Sequence, residues 1–291
     1  MGCTLCPRLC GVDRNKGERG FCSAGNKAVI GRAAPHYWEE PCISGDKGSG
    51  TVFFSGCNLK CVYCQNGKIS RGAVGRELDT DQLADLYLSL QKTGVCNINF
   101  VTPTPYSDII RSSLDIAYEK GLYLPTVYNC GGYESVEALK ALSGYIGIYL
   151  PDFKYMDNEL GKRYSGVPDY PQRAKLALKE MVRQRENSVY NGDGIMTKGV
   201  IVRHLVLPSH TDDSKRVLDY LYNEYGNTVT VSIMSQYTPM PNLTGELGRR
   251  LSEDEYRSVV EYALALGFKN AFIQDGESAS ESFIPEFCGE N

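Results

Sequence analysis

Cys57, Cys61 and Cys64 occupy the segment CNLKCVYCQN as a C-x3-C-x2-C triplet, directly after the apolar run TVFFSG. Three thiolates that close together can hold three irons of a cubane iron–sulfur cluster, which takes four cysteine ligands when fully bound. A cluster held by three leaves one iron open, and an open coordination position is where a metal does chemistry. The competing use of close cysteines is a structural zinc loop. Zinc favours two C-x2-C pairs or Cys/His pairs, and this triplet matches neither. A second group, Cys3, Cys6, Cys10 and Cys22, stands in CTLCPRLCGVDRNKGERGFC. Four thiols in so short a glycine-containing loop indicate a second metal site. It is either a fully ligated 4Fe–4S cluster serving as an electron relay or a zinc that folds the segment. Cys42, Cys96, Cys130 and Cys288 read as small buried hydrophobes.

The elements that would position these residues follow a β/α alternation after Gly50. Runs rich in Val, Ile, Tyr and Phe predict strands over 51–55, 97–102, 122–128, 145–150, 200–207, 228–233 and 270–274. Several are too continuously apolar to be half-exposed, as expected of strands buried on both faces. Helices are predicted over 80–93, 107–120, 135–142, 171–186 and 256–266. The last opens on the capping box Ser252-x-x-Glu255 and closes at Gly267. Such alternation implies parallel strands joined by crossovers, here short of the eight units of a closed barrel. The expected fold is therefore a partial (β/α)6 barrel. Residues 1–50 lack clear periodicity and are expected to form a cysteine-rich extension held by metal rather than by a core. Residues 51–277 would form the barrel, and 278–291 a tail docking on it through Phe283, Ile284 and Phe287. The polar stretch 186–198 is expected to be an exposed loop.

In parallel barrels the active site lies at the C-terminal ends of the strands. Each predicted strand end here carries unusual residues. After the cysteine triplet come Thr102-Pro103-Thr104-Pro105, Asn129-Cys130-Gly131-Gly132, Asp152-Phe153-Lys154, Arg203-His204 with Pro208, and Gln236-Tyr237-Thr238. His204, one residue after Arg203, should point to the opposite side of its strand and pack there.

The chain has 291 residues, 42% hydrophobic and 23% charged, which suits a globular protein with a substantial core. Its net charge of -4 excludes a chain-wide basic surface for nucleic acid, and no nucleic-acid partner is expected. No run approaches the length of a membrane span, so no membrane partner is expected, and no signal peptide is visible. Eleven cysteines without a secretory signal point to a reducing, cytoplasmic setting, anaerobic or microaerobic if an open cluster is present.

The triplet, with Asn58, Leu59, Lys60 and Gln65-Asn66 filling its loop, resembles the radical S-adenosylmethionine (SAM) superfamily, and within it the glycyl radical enzyme activating enzymes. That resemblance implies a 4Fe–4S cluster at Cys57, Cys61 and Cys64. It also implies reductive cleavage of SAM to a 5'-deoxyadenosyl radical that abstracts a hydrogen atom. It implies an electron donor such as flavodoxin or ferredoxin, and a glycyl radical enzyme as partner. Tyr63 matches the position whose backbone meets the adenine, and Asn66 belongs to the same cofactor-binding loop. Where the activating enzymes carry a Gly-Gly-Glu-type turn for the methionine amino group, this chain has Thr102 and Thr104. Asn129 replaces the carboxylate of an Asp-Thr-x-Gly-type turn. Asp152 and Lys154 match an Asp-x-Lys pattern in type and spacing, and are the implied catalytic partners of the cysteines. Their plainer use is a salt bridge at a strand end. Arg203 matches an arginine suited to gripping the SAM carboxylate. The alternatives are a stand-alone radical enzyme acting on a small molecule or peptide, and a non-enzymatic two-cluster electron-transfer protein.

Overall fold

The computed structural model describes residues 2–72 and 74–274. The first elements are β1 (Ala28–His36), α1 (Pro41–Ser44), β2 (Ser49–Phe54), α2 (Gly67–Arg71), β3 (Arg76–Leu78) and α3 (Thr80–Lys92). Next come β4 (Ile98–Val101), α4 (Ser107–Glu119), β5 (Thr126–Cys130), α5 (Val136–Ala141), β6 (Ile148–Pro151), α6 (Asn158–Ser165) and α7 (Tyr170–Gln184). The last are β7 (Val189–Tyr190), β8 (Met196–Leu205), α8 (Thr211–Tyr225), β9 (Thr230–Met234), α9 (Glu253–Leu266) and β10 (Ala271–Ile273).

The strands form one sheet in the order β10-β9-β8-β6-β5-β4-β2-β1-β3, with β7 paired to β8. From β2 to β10 every neighbouring pair on this path is parallel. Six helical crossovers join these strands, so the fold is a partial (β/α)6 barrel with β10 as a closing strand. It is open where β3 and β10 form its two edges. Side chains alternate between two cores, as the period of a strand requires. Phe54, Phe100, Tyr128, Tyr149 and Val202 pack outward under the helices. Val127, Ile148, Leu150 and Ile201 pack together with Cys42, Ile43 and Met196. Since Cys42 and Ile43 belong to α1, that short helix fills one end of the barrel.

The expected tail of residues 278–291 lies outside the described residues. Among the described residues no helix is long and apolar enough to cross a membrane. The capping box of α9 is complete, with Ser252 and Glu255 each satisfying the other's backbone N–H. Asp79 and Gln82 form a second one on α3.

Three expectations need correction. Residues 28–36 belong to the sheet rather than to a metal-held extension: β1 pairs antiparallel with β2 from Ile30↔Phe54 to His36↔Ser49, and Ala28, Val29 and Ile30 are buried. Their signal was weak because AVIGRAAPH holds one glycine, one proline and three alanines, and pairing rather than propensity makes it a strand. The 186–198 stretch is a hairpin, with Val189↔Lys198 and Tyr190↔Met196 paired, not a free loop. Helices α6 and α8 were not singled out, although Leu218, Val217 and Leu221 of α8 are fully buried.

Candidate active site

The strands deliver their terminal polar residues into one cavity of about 220 Å³. Cys61, Tyr63, Cys64 and Asn66 from the loop after β2 line it, together with Asn129 of β5, Asp152 and Lys154 after β6, and Arg203 of β8. Asp152 and Arg203 are bridge partners on neighbouring strands, so their side chains start side by side. Asp152 accepts from Lys154 Nζ at 2.7 Å and pairs with Arg203 Nη2 at 3.0 Å. Arg203 also donates to Asn129 Oδ1 at 2.6 Å. Burial works against the Asp152 carboxylate, but Lys154 and Arg203 outweigh it and hold it below the usual range. Lys154 is likewise held above its usual range, since Asp152 overcomes its own burial.

Glu39 was missed by the sequence reading, which left it in the extension. Because β1 runs opposite to β2, the chain leaves His36 beside Ser49, at the start of β2. It then turns under the barrel and sends Glu39 inside. There Glu39 accepts from Asn99 and Asn129 Nδ2 at 3.0 and 3.2 Å and meets Arg203 Nη1 at 3.3 Å. Next to it, Glu40 is buried, and its Oε2 has no hydrogen-bond partner among the described residues. Burial pushes both glutamates up, against the pull of Arg203. The one available signal was an acidic pair directly after a run ending in aromatic residues, HYWEE.

Three residues predicted for the site, Cys57, Thr102 and Thr104, do not line the cavity. Thr102 takes a left-handed φ of 59° and donates its N–H to Asn129 O at 2.9 Å. Thr104 is buried in a 3-10 turn and donates to Glu134 Oε1 at 2.7 Å. Glu134 also accepts from Tyr128 at 3.1 Å. Gly132 is required in this turn: at φ 79°, a Cβ would lie 2.2 Å from Asp152 O. His204 packs as expected, buried, with Nδ1 donating to Phe153 O at 2.7 Å, and burial pushes it down to about 4.

Glu134 makes a testable pH signature. Burial pushes its carboxyl up to about 7, despite the hydrogen bonds from Thr104 and Tyr128. The folded state therefore favours the protonated form. Its stabilisation is full below the ordinary glutamate range and is lost as pH rises through about 7. A gap of that size is worth about 3 kcal/mol. Urea unfolding at pH 5, 6.5 and 8 should show this loss in the wild type and not in Glu134→Gln. Parallel pH profiles for the two proteins would disprove the assignment.

The residues fit a cluster and a cationic ligand. Leu59 N–H donates to Cys57 Sγ at 3.3 Å, the kind of bond that supports a thiolate. Burial pushes the Cys57 thiol up to about 12, and Cys61 and Cys64 add to it. A thiol so placed gives up its proton when a cation binds the sulfur in its stead. Around Arg203 and Lys154 stand three carboxyl groups, Asp152, Glu39 and Glu40, against two cations. With Asp152 held ionised, this carboxyl-rich wall suits a ligand carrying a sulfonium and an amino group. Cys57 itself is half-buried.

In the N-terminal group Cys3 and Cys6 are half-buried, Cys10 is exposed and Cys22 is buried. Burial pushes the Cys3 thiol up, and Cys10 and Cys22 add to that. Among the described residues no three His, Cys, Asp or Glu side chains close to the spacing of a single-ion cage.

Fold and site together define a radical enzyme of the SAM-cleaving class. Residues 51–221 match the Radical SAM superfamily, and the chain belongs to it. Its cofactors are a 4Fe–4S cluster and SAM. An uncharacterized protein of Methanocaldococcus jannaschii is 30% identical over 276 residues, covering 90% of this chain and 74% of that protein. The pyruvate formate-lyase-activating enzyme of Clostridium pasteurianum is 25% identical over 197 residues, covering 64% of this chain and 74% of that enzyme. Among solved structures, Streptococcus suis SuiB bound to S-adenosylmethionine aligns with a TM-score of 0.51 at 16% identity, covering 75% of this chain and 48% of that one. HydG, a maturase of the FeFe-hydrogenase, aligns with a TM-score of 0.53 at 14% identity, covering 84% of this chain and 56% of that one. The chain spans about half the length of these two proteins, and at such identities they show the shared fold.

Proposed function

We propose that the chain is an activating-type radical enzyme that takes a hydrogen atom from a backbone glycine of a partner polypeptide. Cys57, Cys61 and Cys64 would hold the catalytic cluster, leaving one iron open to SAM. When bound, cluster and SAM supply the reductive cleavage that yields a 5'-deoxyadenosyl radical and methionine.

The observation that carries the reading is the Asp152–Lys154 pair, which stands in the cavity beside Cys61 and Cys64. It matches the activating enzymes in type and spacing, and the Clostridium pasteurianum relative is such an enzyme. Arg203 would receive the SAM carboxylate, and its 2.6 Å contact with Asn129 would hold the fork in place. Lys154 and Asp152, held to each other, would orient polar groups of SAM or substrate. Tyr63 closes the cavity against Tyr155, Tyr164 and Tyr237, which keeps water from that side.

The test is electron paramagnetic resonance of the reduced, SAM-supplied protein mixed with a glycyl radical enzyme. A glycyl doublet on the partner is expected. A silent spectrum with every partner, alongside 5'-deoxyadenosine formation that depends on a small molecule, would move the assignment to a stand-alone radical enzyme.

A further inference from the structure

We propose that Cys3, Cys6, Cys10 and Cys22 hold a second iron–sulfur cluster, and that it relays electrons into the cysteine loop 57–64 against which it is packed. The two loops touch through the residues that lie between their cysteines. Arg8, between Cys6 and Cys10, donates Nε–H to the carbonyl of Asn58, between Cys57 and Cys61. Lys60 Nζ donates to Ser23 Oγ, beside Cys22, at 3.2 Å. Phe21 lies between the two cations, with the Arg8 guanidinium 3.5 Å and Lys60 Nζ 5.0 Å from its ring centre. The closest approach is backbone to backbone. Gly56, immediately before Cys57, has a φ of 93°, and a Cβ there would lie 2.4 Å from Cys22 O. A glycine is therefore what lets Cys22 reach the catalytic loop.

Contact with the catalytic loop chooses a cluster relay over a zinc knuckle. A knuckle that only folds its own loop needs no such contact, whereas electron transfer falls steeply with distance and needs it. Cys10 is exposed, so the outer side of the quartet is open to a donor. Between residues 2 and 27 five cations, Arg8, Arg14, Lys16, Arg19 and Lys27, face two anions, Asp13 and Glu18, in a chain of net charge -4. That local excess suits an acidic donor protein.

The step is a one-electron transfer. A reduced flavin hydroquinone or iron–sulfur protein loses one electron to the N-terminal centre, which passes it to the catalytic cluster. The donor ends oxidised by one electron and the catalytic cluster reduced by one. No bond forms or breaks, and no proton moves. The relay rests on the radical-enzyme reading only for its acceptor; metal binding by the quartet stands apart from the choice of substrate.

The test has two arms. In the first, the Cys57→Ala/Cys61→Ala/Cys64→Ala chain is reconstituted anaerobically with ferrous iron and sulfide. About four irons per chain and the spectrum of a reduced cluster are expected. Zinc in preference to iron, or no metal, would overturn the proposal. In the second, Cys10→Ser is made in the otherwise intact chain, where an exposed side chain removes no packing. The N-terminal signal in the paramagnetic resonance spectrum should change while the catalytic signal stays. The ratio of SAM cleavage driven by reduced flavodoxin to that driven by dithionite should fall by about tenfold or more. An unchanged ratio would overturn the relay, whatever substrate the enzyme proves to use.

Discussion

Replacing Cys61 by alanine is expected to abolish 5'-deoxyadenosine formation, by at least ~10³-fold, the scale on which loss of an indispensable catalytic group is felt. Cys61 is the middle member of the triplet and is buried, with its Sγ 2.9 Å from Ser165 Oγ. Ser165 Oγ in turn lies 3.0 Å from Tyr155 OH, so the position is set by a polar network as well as by the loop. Two remaining thiols cannot grip three irons, and among the described residues no other cysteine lines the cavity beside Cys64. The measurement is single-turnover product analysis with dithionite and SAM. Unfolding curves should run alongside it, because the substitution also removes a packed side chain. A folded Cys61→Ala protein that cleaves SAM at the wild-type rate would end the cluster assignment.

The second large effect is expected from Arg203→Ala, and it should appear in two separate measurements. The guanidinium sits between Asp152, Glu39 and Asn129 with its side chain 16% exposed. Its removal leaves two buried carboxylates without their shared cation. Breaking a buried pair from one side costs about 3–5 kcal/mol of stability. SAM binding should weaken by roughly 2–5 kcal/mol, as for truncation of a buried charged contact. Arg203→Lys keeps the charge but loses the fork, so it should recover part of the stability and little of the affinity. Urea unfolding reads the first effect and calorimetry the second. Unchanged affinity in a folded Arg203→Ala protein would remove this residue from the binding site.

Much of the site was legible because its members lie within single elements or one residue beyond them. The triplet is a local motif, and its spacing alone points to a cluster. Asp152 and Lys154 are two apart, so a strand-end geometry sets them on the same side, where they meet at 2.7 Å. Arg203 and His204 are one apart, so they part company, one into the cavity and the other into the packing against Phe153. The parallel strands were visible because burial on both faces demands unbroken apolar runs. The complete capping box of α9 is likewise a property of four consecutive residues.

What sequence alone determined, then, is chemistry and periodicity: three cysteines after a buried strand, a β/α alternation, and a rim of polar strand ends. Only the tertiary structure decided which distant groups share the cavity. Glu39 and Arg203 are 164 residues apart and meet because β1 reverses against β2 and returns the chain beneath the barrel. Thr104 stands at the rim in sequence, yet a 3-10 turn aims it at Glu134 rather than at the cavity. The contact between the cysteine loops depends on Gly56 admitting the backbone of Cys22. Spacing along a chain encodes what one helix or strand can place on a face. Pairing partners, crossovers and close backbone approaches depend on the whole fold, and no local pattern carries them.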